Sequence, residues 1–154
     1  MSPIKLEMPA GPVDVHRLVL DYTGTLSLDG ELLPGVAERL ERLASDLDIV
    51  VLTADTFGTV EDTMAGLPVE IRIIRDGREK ADLIMGMEPE KTMAVGNGRN
   101  DVPMMEGAGL AVGVLGPEGA ASELLRAADV VVRDIRDALD LLVHPLRLKA
   151  TLRD

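Results

Sequence analysis

Asp21 closes a short apolar run, residues 16–21 (HRLVLD), and is followed at once by Tyr22-Thr23-Gly24-Thr25. A carboxylate at the end of a buried strand is held rigidly, while the amides and hydroxyls of such a turn face an incoming anion. Carboxylates act as covalent nucleophiles toward phosphorus, forming an aspartyl phosphate. That reaction needs charge neutralisation more than help with bond making, so a magnesium ion and a lysine are the expected assistants. Thr53, which ends the apolar run DIVVLT, can hydrogen-bond a phosphoryl oxygen, and Lys80, near the start of a helical segment, can reach the same oxygens. Asp101 supplies a second hard oxygen ligand of the kind magnesium prefers.

The elements that must position these groups follow from hydrophobic period and turn chemistry. Residues 16–21, 48–53, 69–74, 92–95, 110–114 and 130–132 read as strands. A helix is expected from Pro34, with Val36, Leu40, Leu43 and Leu47 on one face. Thr59-x-x-Asp62 resembles a capping box, and the stripe Val60, Met64, Leu67 stops at Gly66-Leu67-Pro68. Residues 77–87 read as a helix with Ala81, Ile84 and Met85 inward; 101–106 and 119–128 read as helices too. A last helical segment, 134–154, is interrupted by Pro145, whereas residues 1–14, with Pro3, Pro9 and Pro12, read as an extended lead-in or edge segment. Leu28-Asp29-Gly30 is a tight turn.

Strands alternating with helices predict an α/β fold: a three-layer α/β/α doubly wound parallel sheet forming a single domain over residues 1–154. Such sheets bind ligands beyond the carboxyl ends of their strands, where strand order reverses. The Asp21 turn, Thr53-Ala54-Asp55 and the loop 96–101 should therefore converge on one edge.

These motifs resemble the haloacid dehalogenase superfamily of phosphotransferases and, within it, the phosphorylation domain of P-type ATPases and small soluble phosphatases like it. Asp21-Tyr22-Thr23-Gly24-Thr25 is similar to the Asp-Lys-Thr-Gly-Thr signature except at Tyr22, and Thr53-Ala54-Asp55 to Thr-Gly-Asp except at Ala54. Lys80 falls where the Lys-led helix does, and Val95-Gly96-Asn97-Gly98-Arg99-Asn100-Asp101 resembles Val-Gly-Asp-Gly-x-Asn-Asp. Order and spacing agree from about residue 16 to residue 132.

The resemblance implies Asp21 as nucleophile, and magnesium held by Asp21, the Thr23 carbonyl, Asn97 and Asp101. It implies a phosphoryl group held by Thr53 and Lys80, with Thr25, Ala54 and Asn100 also facing phosphate and Asn100 orienting its loop. Asp55 is read either as a contact to metal-bound water or substrate, or as a cap of the following turn. Lys91 competes with Lys80 but lies at the wrong end of its strand. Tyr22 is read as a partly buried neighbour of the nucleophile, with a catalytic phenol as the sharper alternative.

Two departures shape the expected chemistry. Thr23 stands where superfamily phosphatases place a general acid, so slow turnover and a longer-lived phosphoenzyme are expected. Asn97 stands for a metal-binding Asp, which removes one negative charge and predicts weaker magnesium binding. A binding module that senses phosphate or metal without efficient turnover, a pseudo-phosphatase with a regulatory role, is the alternative to a phosphohydrolase.

Composition narrows the partners. A net charge of −11 disfavours nucleic acid and anionic membranes. With one Tyr, one Phe and no Trp, stacking platforms for bases are absent. No cysteine is present, which removes thiol catalysis and thiolate zinc, and no apolar run reaches the roughly 18 residues of a membrane span. The start MSPIKLEMPAGPVD lacks the pattern of a signal peptide, so a cytoplasmic setting is expected. Too few residues separate the motifs for a large cap. The site should be open, to a phosphorylated small molecule or phosphoprotein, or covered by a neighbouring subunit of a homo-oligomer.

Overall fold

The computed structural model describes residues 2–54 and 59–153. The chain opens with a hairpin of β1 (Ile4–Met8) and β2 (Gly11–Val15), then enters β3 (Arg17–Asp21). A second small hairpin, β4 (Ser27–Leu28) and β5 (Glu31–Leu32), leads to α1 (Val36–Leu43) and β6 (Asp48–Thr53). Next come α2 (Thr59–Thr63), β7 (Glu70–Ile73), α3 (Gly77–Met85) and β8 (Thr92–Gly96). The remainder is α4 (Val102–Gly107), β9 (Leu110–Val114), α5 (Ser122–Ala127), β10 (Val130–Val132), α6 (Ile135–Val143) and α7 (Leu146–Leu152).

Six strands form one parallel sheet in the order β10-β9-β8-β3-β6-β7. From β3 the chain steps outward through β6 to β7, then returns to β8 on the other side of β3 and continues outward. The strand order therefore reverses beside β3, which puts the end of β3 at the crevice where such sheets take ligands. The α/β expectation holds, and its physical basis is plain in the strands: β3, β6, β8 and β9 are near-continuous buried runs, as expected of strands covered on both faces.

Several local expectations are corrected. Residues 1–14 are not a plain lead-in: Ile4, Leu6 and Met8 turn inward while Lys5 and Glu7 face solvent, the period of a strand. The hairpin closes through the two residues between Met8 and Gly11, and Leu6 and Val15 are fully buried, with β1 against α7. The first helix begins at Val36, because Gly35 takes a left-handed conformation at its N-cap. The segments expected at 69–74, 77–87 and 119–128 are shorter, at Glu70–Ile73, Gly77–Met85 and Ser122–Ala127. Met85 is 64% exposed rather than inward: one residue beyond buried Ile84, it is turned about 100° away on the helix. Phe57 and Asp55, with the roles considered for Asp55, lie outside the described residues.

No helix among the described residues is long and apolar enough to cross a membrane.

Candidate active site

Asp21 is the last residue of β3 and is buried, 8% exposed. Beyond it the chain folds into a tight loop in which the Tyr22 carbonyl accepts the amides of Thr25, Leu26 and Ser27 and the Ser27 hydroxyl. Gly24 in that loop has φ +75 and sits so close to Asn97 that a Cβ would come within 2.6 Å of its Nδ2. No L side chain fits there without displacing Asn97.

Lys80 enters from the first turn of α3, where Asp76 caps the helix by accepting the Glu79 amide. Lys80 is itself buried, 3% exposed, and its ammonium donates to Asp21 Oδ1 at 3.1 Å, to Asp101 Oδ1 at 2.7 Å and to Asn100 Oδ1 at 3.1 Å. The other oxygen of Asp101 accepts the amides of Asn97 and Gly98 at 3.1 and 3.0 Å. Gly96 lies directly beneath that carboxylate, and a Cβ there would overlap it. Two carboxylates and one ammonium are thus packed together at the ends of neighbouring strands, with both oxygens of Asp101 engaged.

The electrostatics follow from burial. Asp21 is pushed up from its ordinary 3.8 to about 7, first by loss of hydration and then by the Asp101 charge; Lys80 and the Thr25 hydroxyl oppose the shift. Burial works against the Lys80 ammonium, yet Asp21 and Asp101 outweigh it and its pKa is raised. The consequence for stability has a definite sign. Between pH 4 and 7 the unfolded chain releases the Asp21 proton while the metal-free native state keeps it, so the native state loses stability as pH rises through that window. Asp21→Asn should therefore raise the melting temperature of the metal-free protein at pH 8, by an effect of the order of a few kcal/mol, and the gain should vanish toward pH 4. Thermal unfolding in a chelator at the two pH values checks this.

The other expected residues divide into two groups. Thr25, 1% exposed, donates its hydroxyl to Asn97 Oδ1 at 3.3 Å and joins the cluster. Thr53 is buried at the end of β6, whose Leu52 is in register with Asp21; the Leu52 carbonyl takes the Tyr22 amide at 2.9 Å. Asn100 is exposed apart from its bond to Lys80. Thr23 and Ala54 are exposed at the rim, Thr23 forming a bridge to Ser27. Tyr22 points away from the chemistry: it is 2% exposed, and its phenol donates to the Gly30 carbonyl at 3.0 Å. The reading of a catalytic phenol is thereby corrected.

The sequence reading missed Gly119, whose carbonyl accepts the Asn97 Nδ2 at 3.1 Å and so turns the amide oxygen toward Thr25 and the nucleophile loop. Its signal was a glycine in the turn just past a strand, at the carboxyl edge of the sheet. The side-chain oxygens that could face a cation beside Asp21 are hard: its own second carboxylate oxygen and the Asn97 amide oxygen fixed in this way. That set suits magnesium. Among the described residues no group of three or more acidic, His or Cys side chains is poised for a metal, so the set is poor in charge.

A concavity of about 490 Å³ lies at the opposite ends of the strands, lined by Arg17, Leu47, Asp48, Glu70 and Met87 among others. Arg17 there is spent on the Met87 carbonyl and on Asp48, 3.8 Å away. None of the clustered candidate residues lines it.

Known proteins share this fold. A family model described as haloacid dehalogenase-like hydrolase matches residues 78–138, a span that includes Lys80, Asn97 and Asp101. An uncharacterized protein of Methanocaldococcus jannaschii is 51% identical over 65 residues, 42% of this chain and 70% of that protein. The cobalt-bound deoxy-D-mannose-octulosonate 8-phosphate phosphatase of Haemophilus influenzae superposes with a TM-score of 0.72 at 15% identity, covering 91% of this chain and 94% of that one. The 3-deoxy-D-manno-octulosonate 8-phosphate phosphatase of Moraxella catarrhalis, solved with magnesium, phosphate and the sugar acid, gives 0.69 at 17% identity over 89% and 91% of the two chains. At such identities these structures share the fold.

Proposed function

This chain belongs to the haloacid dehalogenase-like hydrolases, and from that membership we propose that it is a magnesium-dependent phosphohydrolase whose nucleophile is Asp21. The observation that carries the reading is the buried triad in which one ammonium bridges Asp21 at 3.1 Å and Asp101 at 2.7 Å, at the strand end where sheet order reverses. A carboxylate with Oδ1 on Lys80 keeps its second oxygen for attack. In the reaction that oxygen bonds to phosphorus as the ester oxygen leaves with its electron pair, and water then cleaves the aspartyl phosphate to free Asp21 and release phosphate. Lys80 and the Thr53 and Thr25 hydroxyls bind the non-bridging phosphoryl oxygens, with the chain at Ala54 and the Asn100 amide at the rim of the same pocket. Asp101, its oxygens shared between Lys80 and the loop amides, orients the lysine.

Asp21, the Thr23 carbonyl and Asn97 would hold the magnesium ion, with Asp101 behind them; bound there, the ion would neutralise phosphoryl charge. Because Asn97 brings no charge, Asn97→Asp should tighten magnesium binding, roughly tenfold or more, as read by titrating activity against the metal. A variant with the same half-saturation as the parent would show that Asn97 does not face the ion.

Thr23 cannot protonate a leaving alkoxide, which supports slow hydrolysis of esters and a longer-lived phosphoenzyme, the property implied by the resemblance to P-type ATPase phosphorylation domains. Thr23→Asp should accelerate phosphate ester hydrolysis by roughly 10²–10⁴ at saturating magnesium, the usual contribution of a positioned acid. Acetyl phosphate, whose leaving group needs no proton, should gain far less. An equal gain on both would place the limitation elsewhere.

Between β6 and α3 the described residues make only a five-residue helix and an edge strand, which leaves little to cover the site. Phosphatases of similar fold are named for a small phosphorylated sugar acid, and we take a phosphorylated small molecule as the substrate class. A panel of phosphorylated metabolites, scored by phosphate release with and without magnesium, tests it.

A further inference from the structure

On one side the sheet ends in β10, an edge strand that no element among the described residues pairs with beyond β9. Its residues are Val130-Val131-Val132, flanked by Asp129 and Arg133. Asp129, Val131 and Arg133 are exposed while Val130 and Val132 are half-buried, so these three side chains share one face of the strand. Val131, at the centre, is 42% exposed. Alternate residues of a parallel strand bond to opposite sides. The Val132 carbonyl accepts the Leu115 amide at the end of β9, at 2.8 Å, so the amide and carbonyl of Val131 point to the open side.

An apolar edge with free ladder groups is a template for another strand. Proline, a bulge or repelling charges guard such an edge in many sheets. Here there is no proline, and the flanking charges are of opposite sign, each two residues from Val131. That symmetry selects an occupant. A second β10 laid antiparallel about a two-fold axis at Val131 sets residue 129 against residue 133. Asp129 of one copy then faces Arg133 of the other, twice over, on the face that Val131 shares. A parallel copy in register would set Asp129 against Asp129 and Arg133 against Arg133. Both charges are available: among the described residues Arg133 makes no ion pair, and Asp129 engages only Oδ2, which accepts the Ala111 amide at 2.8 Å.

We propose that β10 is the seam of a homodimer, in which a second copy of this chain pairs antiparallel with it, Val131 opposite Val131, and extends the six-stranded sheet to the neighbouring molecule. Two hydrogen bonds between the Val131 residues, two Asp129–Arg133 pairs and the contact of the valine side chains hold it. Three strand spacings, about 14 Å, separate β10 from β3, so the contact lies to the side of the candidate site and not over it. The two sites open at opposite edges of the joined sheet, because its halves run antiparallel.

Sedimentation velocity and amide hydrogen exchange on the full chain test this. With rising concentration the parent should approach twice the 16.5 kDa of one chain. The Val131 amide should become protected in step, while the Val132 amide, already turned to β9, keeps its rate. Arg133→Glu turns two attractive pairs into two repulsive ones and should weaken self-association by roughly tenfold or more; Arg133→Lys keeps the sign and should dimerise as the parent does. Mixing Arg133→Glu with Asp129→Lys recreates both pairs across the seam and should recover the dimer that neither folded variant forms alone. Asp129→Lys gives up the bond to Ala111, and Arg133→Lys is the check free of that loss. A parent that stays monomeric, a dimer that Arg133→Glu leaves intact or that Arg133→Lys loses, a folded mixture that stays monomeric, or Val131 exchange blind to concentration overturns the proposal. So does growth beyond a dimer, the product of joining β10 to the other sheet edge, β7, of the next copy.

Discussion

Asp21→Asn is expected to abolish magnesium-dependent hydrolysis of p-nitrophenyl phosphate and acetyl phosphate, by at least about 10³-fold in kcat/KM. An amide at position 21 keeps the shape of the site and an oxygen for the Lys80 ammonium, but it cannot become an acyl phosphate. The loss should be total for chemistry and gentle for the fold. The variant sheds a carboxyl that burial and Asp101 have pushed up to about 7, so the inactive protein should be the more stable one at pH 8. Parallel measurement of initial rates and of unfolding separates a missing nucleophile from a damaged structure. Residual turnover within tenfold of the parent would remove Asp21 from the reaction and with it the assignment of the site.

Lys80→Met is expected to damage both fold and function. The ammonium is 3% exposed and is the cation bridging two carboxylates of which one is fully buried. Its removal leaves Asp21 and Asp101 facing one another without compensation, and breaking a buried pair in this way typically costs about 3–5 kcal/mol. The penalty should be largest at pH 8 and shrink at pH 5, where Asp21, already pushed up to about 7, can take up a proton instead. Turnover should fall by a further roughly 10²–10³, the usual loss when one preorganised donor to a developing anion is deleted. Lys80→Arg should not restore it, because the planar fork is longer and cannot converge on three oxygens as an ammonium does. Urea unfolding at the two pH values, with rates in saturating magnesium, gives both numbers. A variant of parental stability at pH 8 would mean that the triad does not carry the charge balance described here.

How much of this was legible beforehand depended on which forces specify each part. The central strands were readable because strands buried on both faces must be apolar throughout, and β6, β9 and β10 match their expected bounds. The convergence of Asp21 and the 96–101 loop was readable because both follow from one topological rule about strand ends, and Lys80 was expected there from the start of its helix, where α3 carries it. What was not readable was burial of charge. Lys80 sits among exposed charged neighbours in Arg78-Glu79-Lys80-Ala81-Asp82, and only the tertiary pairing makes it an interior residue. The engagement of both Asp101 oxygens depends on loop amides that no residue type reveals. The first hairpin was obscured by its prolines, Pro12 lying within β2 itself, a place that a two-stranded sheet tolerates and a central strand would not. Helix ends shifted by a residue or more, as frayed termini do.

The chain contains one Tyr and no Trp, so its near-ultraviolet absorption and its intrinsic emission come almost wholly from the ring next to Asp21. On the proposed mechanism, arrival of an ion, formation of the acyl phosphate and its decay would all occur one peptide unit from that chromophore, and each should be followed optically in the unlabelled protein.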